Sequence, residues 1–125
     1  MRQINRIAAV VVTYNRKELL RECLQALLAQ SMNQLDILLI DNASTDGTHE
    51  FVEDIIEAND TISYINTGSN LGGAGGFHYG LKEAYNRGYE YMWIMDDDTI
   101  ATTDALKNQI AADRKLKGKY GFLAS

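Results

Sequence analysis

Proline is absent from this sequence, cysteine and tryptophan occur once each, and histidine occurs twice. A lone cysteine, Cys23, excludes an internal disulfide framework and suits a reducing compartment, so a cytoplasmic setting is expected. With one cysteine to draw on, His49 and His78 form no zinc site and read as surface or packing residues. Basic residues are also in deficit, 12 Lys and Arg against 17 Asp and Glu, for a net charge of −5. That balance makes nucleic acid a poor partner. The longest strictly apolar run is Ile7 to Val12, far short of the roughly 18–20 residues that a membrane span requires. Arg2 and Arg6 lead into a strand-like run rather than an apolar helix, so no secretory leader is expected. Average usage of about 5% would place several prolines here, but no function follows from their absence.

What remains is ordinary globular material. The 125 residues suffice for one domain with a real core, and 46% hydrophobic with 23% charged residues excludes disorder and collagen-like structure. The hydrophobic period switches repeatedly along the chain. Arg6 to Thr13 is a continuous β-branched run, the pattern of a strand buried on both faces. Asn15 to Ala29 reads as a helix with Leu19, Leu20, Cys23, Leu24, Leu27 and Leu28 on one side, capped by Asn15 with Glu18 at capping-box spacing. Leu35 to Ile40 is a second strand. Thr48 to Glu57 is a second helix with Phe51, Val52, Ile55 and Ile56 as its stripe and Asp46 as its N-cap. Thr61 to Asn66 is a third strand, and a glycine-rich loop leads into a third helix stopped by Gly88. Tyr91 to Met95 is a fourth strand, Asp104 to Lys117 a fourth helix, and Tyr120 to Ala124 the start of a fifth strand. Alternating strand and helix predicts an α/β fold with a mostly parallel sheet and helices on both faces. Ending on a fifth strand, the chain is expected to be a truncated domain, the first part of a longer protein.

In open parallel sheets, ligands bind outside the carboxyl ends of the strands. Here those ends carry Thr13-Tyr14-Asn15, Asp41-Asn42, Asn66 through Gly76, and Asp96-Asp97-Asp98. Every one is polar or glycine-rich, and all should lie along one edge of the sheet. In an extended segment Asp96 and Asp98 share a face while Asp97 points away. Two carboxylates about 4 Å apart repel by about 4 kcal/mol at an effective dielectric near 20. A hard divalent cation, Mg²⁺ or Mn²⁺ held by one or two carboxylates and a substrate's phosphates, offsets that repulsion best. The plain alternative is a solvated loop in which Asp98 or Thr99 caps a turn. Placement directly behind the buried YMWIM strand favours the metal.

Gly68 to Gly76 holds five of the ten glycines. Such a backbone can approach a ligand closely and aim N–H groups at an anion beside a helix start. Neither standard phosphate fingerprint fits: G-x-G-x-x-G from Gly73 would need glycine where His78 stands, and no G-x-x-x-x-G-K-[ST] occurs. Asp41 can accept hydrogen bonds from a ribose or base, or can serve as a turn residue. Cys23 on its apolar stripe reads as a buried small hydrophobe, and Tyr91 and Trp93 as core.

Together these motifs resemble the family 2 glycosyltransferases, whose nucleotide-binding half has the GT-A (Rossmann-like) fold. Val11-Val12-Thr13-Tyr14-Asn15-Arg16 resembles the opening strand and turn, and Asp41-Asn42-Ala43-Ser44-Thr45-Asp46-Gly47-Thr48 the second-strand motif. Asn70-Leu71-Gly72-Gly73-Ala74-Gly75-Gly76-Phe77 with Gly80 resembles the rhamnosyl- and galactofuranosyltransferase branch, and Asp96-Asp97-Asp98 matches the D-x-D motif. The resemblance implies a nucleotide-sugar site of Thr13, Tyr14, Asn15, Asp41, Asn70, Gly72, Gly73, Asp96 and Asp97, with Asp96 and Asp98 holding Mn²⁺ or Mg²⁺. It further implies inverting transfer of a rhamnose- or galactofuranose-type sugar from a UDP- or dTDP-linked donor to a cell-surface or cell-wall glycan or lipid-linked acceptor. The full-length protein is then expected at the inner face of the membrane, with its general base beyond Ser125. A nucleotidyltransferase is the second reading, disfavoured because Tyr14-Asn15-Arg16-Lys17 contains no glycine to wrap a triphosphate. A non-catalytic nucleotide-binding domain is the third. Dimerisation through the edge of the fifth strand is also expected if that strand lies uncovered.

Overall fold

Aliphatic runs without polar interruption become the centre of a sheet. In the computed structural model, which describes residues 6–30, 35–98 and 121–124, β1 (Ile7–Thr13) and β2 (Leu35–Asp41) are buried at every position. The alternating run becomes β3 (Ile62–Asn66), half-buried, at one edge. β4 (Tyr91–Asp96) flanks β1 on the other side, and β5 (Gly121–Ala124) lies beyond it. The order is β3-β2-β1-β4-β5, and all four pairings are parallel. The predicted helix over Asp104 to Lys117 lies outside the described residues.

Helices cover both faces, as the pattern requires. α1 (Lys17–Leu28) and α2 (Thr48–Ala58) share a core with Ala9, Val11, Ile37, Leu39, Trp93 and Met95. α3 (Gly72–Asn86) packs on the opposite face against Val10, Val12, Leu38 and Ile40. The change of face follows from the strand order. The chain runs outward from β1 to β3, then crosses back over β1 to β4, and right-handed crossovers travelling in opposite directions must lie on opposite faces. The reversal leaves a crevice between the carboxyl ends of β1 and β4, where Val12 pairs with Asp96.

Glycines let α3 come close. A Cβ on Gly80 would sit 2.5 Å from Val10 Cγ1 and 3.0 Å from Ile40 Cγ1, and one on Gly76 would sit 2.7 Å from Val12 Cγ1. Four apart, they share one helix face, so the backbone of α3 itself rests on β1 and β2. The expected glycine-rich loop is therefore shorter than predicted: Gly72, Gly73, Gly75 and Gly76 all belong to α3. At its other end, the stop expected at Gly88 is a Schellman closure: Gly88 (φ +91°) N–H donates to Tyr85 O while Tyr89 N–H donates to Ala84 O.

Both predicted caps are corrected. Asn15 does not cap α1, which begins at Lys17 with Arg16 in the cap position and no side-chain cap bond. Instead Asn15 adopts φ +52° and is tied to the β2–α2 loop. Asp46 does not cap α2, because Gly47 occupies that position. Its carboxylate accepts from the Thr48 hydroxyl and, at 3.4 Å, from the Lys17 N–H at the start of α1. Long-range bonds between the two loops outcompete the local caps. The predicted stripes are also too wide. Leu19, Leu28 and Phe51 stay partly exposed, and Phe51 lies under Lys17 Nζ (5.4 Å) and the Arg21 guanidinium (5.8 Å).

Arg21 also clamps α1 to α2, donating to both carboxylate oxygens of Asp54 at 2.8 Å and to Phe51 O at 2.8 Å. The guanidinium bond pulls the Asp54 carboxyl down to about 2. A depressed carboxyl contributes stability above its unfolded value near 3.9, and that contribution is lost as pH falls through the folded value. The melting temperature of Asp54→Asn is therefore expected to lie slightly below wild type above pH 5. Near pH 2 the two should converge, and a gap unchanged at pH 2 would refute the pairing.

Candidate functional site

The crevice predicted by the strand order is an open cavity of about 440 Å³. Its lining draws on Thr13, Tyr14 and Arg16 at the end of β1; Asn42 after β2; Asp96, Asp97 and Asp98 at the end of β4; and Asn70, Gly72 and Gly73 at the start of α3. Each position has a local cause. Thr13 is the last, fully buried residue of β1, and its hydroxyl donates to Asp97 Oδ2 at 2.9 Å. Asn70 Oδ1 accepts from Gly72 N at 2.9 Å, shaping the entry to α3. Asn42, nearly fully buried, acts as the joint: its Nδ2 donates to Gly72 O at 3.0 Å and its backbone N–H donates to Thr13 O at 3.0 Å. It thereby locks β1, β2 and the α3 start together.

The acidic triplet divides as alternation predicts. Asp97 is buried, while Asp96 and Asp98 are exposed. Burial raises the Asp97 carboxyl above its ordinary range, the Thr13 hydroxyl and the Arg16 guanidinium oppose the rise, and Asp98 and Asp96 add to it. Arg16 Nη1 lies 3.5 Å from Asp97 Oδ1 and 3.7 Å from Asp98 Oδ2. Directly beneath, Cys23 is fully buried with Sγ 3.9 Å from Asp96 O, and burial pushes its thiol up to about 12. It is a packing residue and no nucleophile.

Among the described residues, no group of three or more His, Cys, Asp and Glu side chains forms a metal cage. A two-carboxylate set still suits a hard cation. Asp96 and Asp98 present oxygen donors on the open side of the cavity, while Asp97 is engaged by Thr13 and Arg16. Mg²⁺ characteristically binds through one or two carboxylates and completes its shell with phosphate oxygens.

Asp41 and Asn15 lie outside this lining. Asp41 is buried, accepting from Ser44 N at 2.9 Å and from the Tyr64 hydroxyl at 2.5 Å. It opens on a second cavity, also about 440 Å³, lined with Ser44, Thr48, His49, Tyr64 and Asn66 among others. There His49 stacks on Tyr64 with ring centroids 4.2 Å apart. Asn15 exchanges side-chain bonds with Thr45, its Oδ1 accepting from Thr45 N at 2.7 Å.

Residues 8–117 match the profile of the family described as glycosyl transferase family 2. The chain belongs to that family. A galactofuranosyltransferase of Mycolicibacterium smegmatis is 35% identical over 92 residues, covering 74% of this chain and 30% of the relative. A poly-beta-1,6-N-acetyl-D-glucosamine synthase of Staphylococcus aureus is 31% identical over 103 residues, covering 82% of this chain and 24% of the relative. The chain thus spans less than a third of the length of these relatives. Among solved structures, a Pyrobaculum calidifontis mannosyltransferase in complex with GDP-Man and Mn²⁺ superposes with a TM-score of 0.71 at 26% identity, over 86% of this chain and 32% of that one. S. aureus TarS in complex with UDP-GlcNAc superposes with a TM-score of 0.76 at 25% identity, over 88% and 31%. The family 2 chain therefore has the expected GT-A fold.

Three features of this family 2 domain escaped the sequence reading. Arg16 has no visible role in the sequence, because its charge comes next to the triplet only when β1 and β4 are paired. Asn42 stands in the sequence as one of the polar strand ends, and its position beside Asp41 is the signal for the joint. The stacked pair of His49 and Tyr64 joins α2 to β3, which no local pattern links.

Proposed function

We infer that this chain is the nucleotide-sugar-binding part of an inverting, metal-dependent glycosyltransferase that builds a cell-surface or cell-wall glycan. The observation that carries this reading is the cavity at the strand-order reversal, where an exposed pair of carboxylates faces the glycine-rich start of α3. Thr13 and Tyr14 would line the nucleoside, and Asn70, Gly72 and Gly73 the ribose and diphosphate. Backbone N–H groups at the α3 start, with the helix dipole behind them, favour anionic oxygens there. Asp96 and Asp98 would hold Mn²⁺ or Mg²⁺, a cation that neutralises the departing nucleoside diphosphate. Asp97, fixed by Thr13, keeps the triplet's backbone in place. Asp41 would reach the base or ribose from the β2 side. Of the rhamnose- and galactofuranose-type sugars expected, the similarity to a galactofuranosyltransferase supports the second, and neighbours holding UDP-GlcNAc or GDP-Man support a nucleotide-sugar donor. The acceptor, glycan or lipid-linked, would be met at the cytoplasmic side by residues outside this chain, which would also supply the base.

Isothermal titration with UDP and with dTDP, each with and without Mn²⁺, tests the reading. Metal-dependent binding of one nucleotide is expected and names the donor's base. No binding of either by the full-length protein would overturn it.

A further inference from the structure

Arg16 is the only cationic side chain among the described residues that line the cavity, and three carboxylates share that cavity with it. It is half exposed and makes no cap bond at the head of α1. What it does touch is Asp97 at 3.5 Å and Asp98 at 3.7 Å. Both distances exceed those of a close ion pair, and the Arg16–Asp98 pair is open to water. A nucleoside diphosphate brings further negative charge into this cavity. Any cation that takes Asp98 removes one of the guanidinium's two carboxylate partners and leaves it beside that charge.

Resting on the donor-site reading above, we propose that Arg16 is an exchange counter-ion: it occupies Asp98 until a divalent cation displaces it, then binds the donor's diphosphate. The two roles pull in opposite directions. As a partner of Asp98, Arg16 competes with the metal; as a partner of phosphate, it strengthens nucleotide binding. Removing an exposed ion pair changes affinity by about 2- to 5-fold, and removing a charge-assisted phosphate bond by about tenfold. A residue that merely supports the local fold would weaken both ligands together. Lysine, a single point charge without the planar fork, restores both effects only in part.

The test compares wild type, Arg16→Gln and Arg16→Lys in two titrations of the full-length protein, one with Mn²⁺ alone and one at saturating Mn²⁺ with UDP, or with dTDP where the wild type binds that nucleotide instead. Arg16→Gln is expected to bind Mn²⁺ about 2- to 5-fold more tightly and the nucleotide about tenfold more weakly, with Arg16→Lys between. Parallel changes in both titrations, or no change in either, would overturn the exchange role while leaving the donor-site reading intact. Failure of wild type to bind either UDP or dTDP at any Mn²⁺ concentration would overturn the donor site itself, and this role with it.

Discussion

Replacing Asp96 and Asp98 together by alanine is expected to abolish the Mn²⁺ dependence of UDP binding, with a loss in affinity of about 100-fold, or roughly 2.7 kcal/mol. The size follows from the lining of the cavity. Without the cation, a diphosphate meets Arg16 and the α3 N–H groups alone, against the remaining charge of Asp97. Folding should not suffer, because both replaced side chains are exposed and both disfavour ionisation of buried Asp97. The melting temperature of the double variant is therefore expected to equal or exceed that of wild type in the absence of metal. UDP binding by the double variant that equals wild type at saturating Mn²⁺ would remove the acidic triplet from the site.

The second large effect concerns the fold beneath the site. Gly80→Ala places a methyl 2.5 Å from Val10 Cγ1 and 3.0 Å from Ile40 Cγ1, both on fully buried side chains of the central strands. Overpacking of this kind costs about 1–3 kcal/mol, and the better helix propensity of alanine returns about 1 kcal/mol at most. Both neighbours belong to strands held by ladders on two sides, so neither yields easily. The melting temperature should fall by several degrees, at roughly 4–8 °C per kcal/mol for a domain somewhat smaller than this. Gly73→Ala is the matched control: it lies in the same helix, and its methyl would meet nothing within 4 Å. It should leave the melting temperature unchanged or raised. Equal effects of the two substitutions would show that propensity, not close approach, governs α3.

The same helix marks how far local pattern carries. Glycine at 72, 73, 75 and 76 reads as a loop because glycine is a weak helix former. In the fold the helix runs through it, since the loss in propensity is offset by packing α3 closely on β1 and β2. Asn15 and Asp46 teach the same lesson at helix starts. Each has the chemistry of a cap, and each is drawn instead to a partner in the neighbouring loop.

The sequence by itself determined the alternation of buried strands and amphipathic helices, the parallel sheet, and the polar ends of all four strands. It could do so because burial on both faces demands unbroken apolar runs, and a run's end is visible without knowing its neighbours. Only the tertiary structure decided which ends meet. Thr13 and Asp97 are 84 positions apart, and Arg16 and Asp97 are 81 apart. Their encounter depends on β4 crossing back to lie beside β1, a choice made by the packing of whole helices on two faces. Hydrophobic periodicity extends over one element at a time and carries no information about strand order. The cavity, the placing of Arg16 beside its carboxylates and the Asn42 joint therefore belong to the fold, and the residues that fill them belong to the sequence.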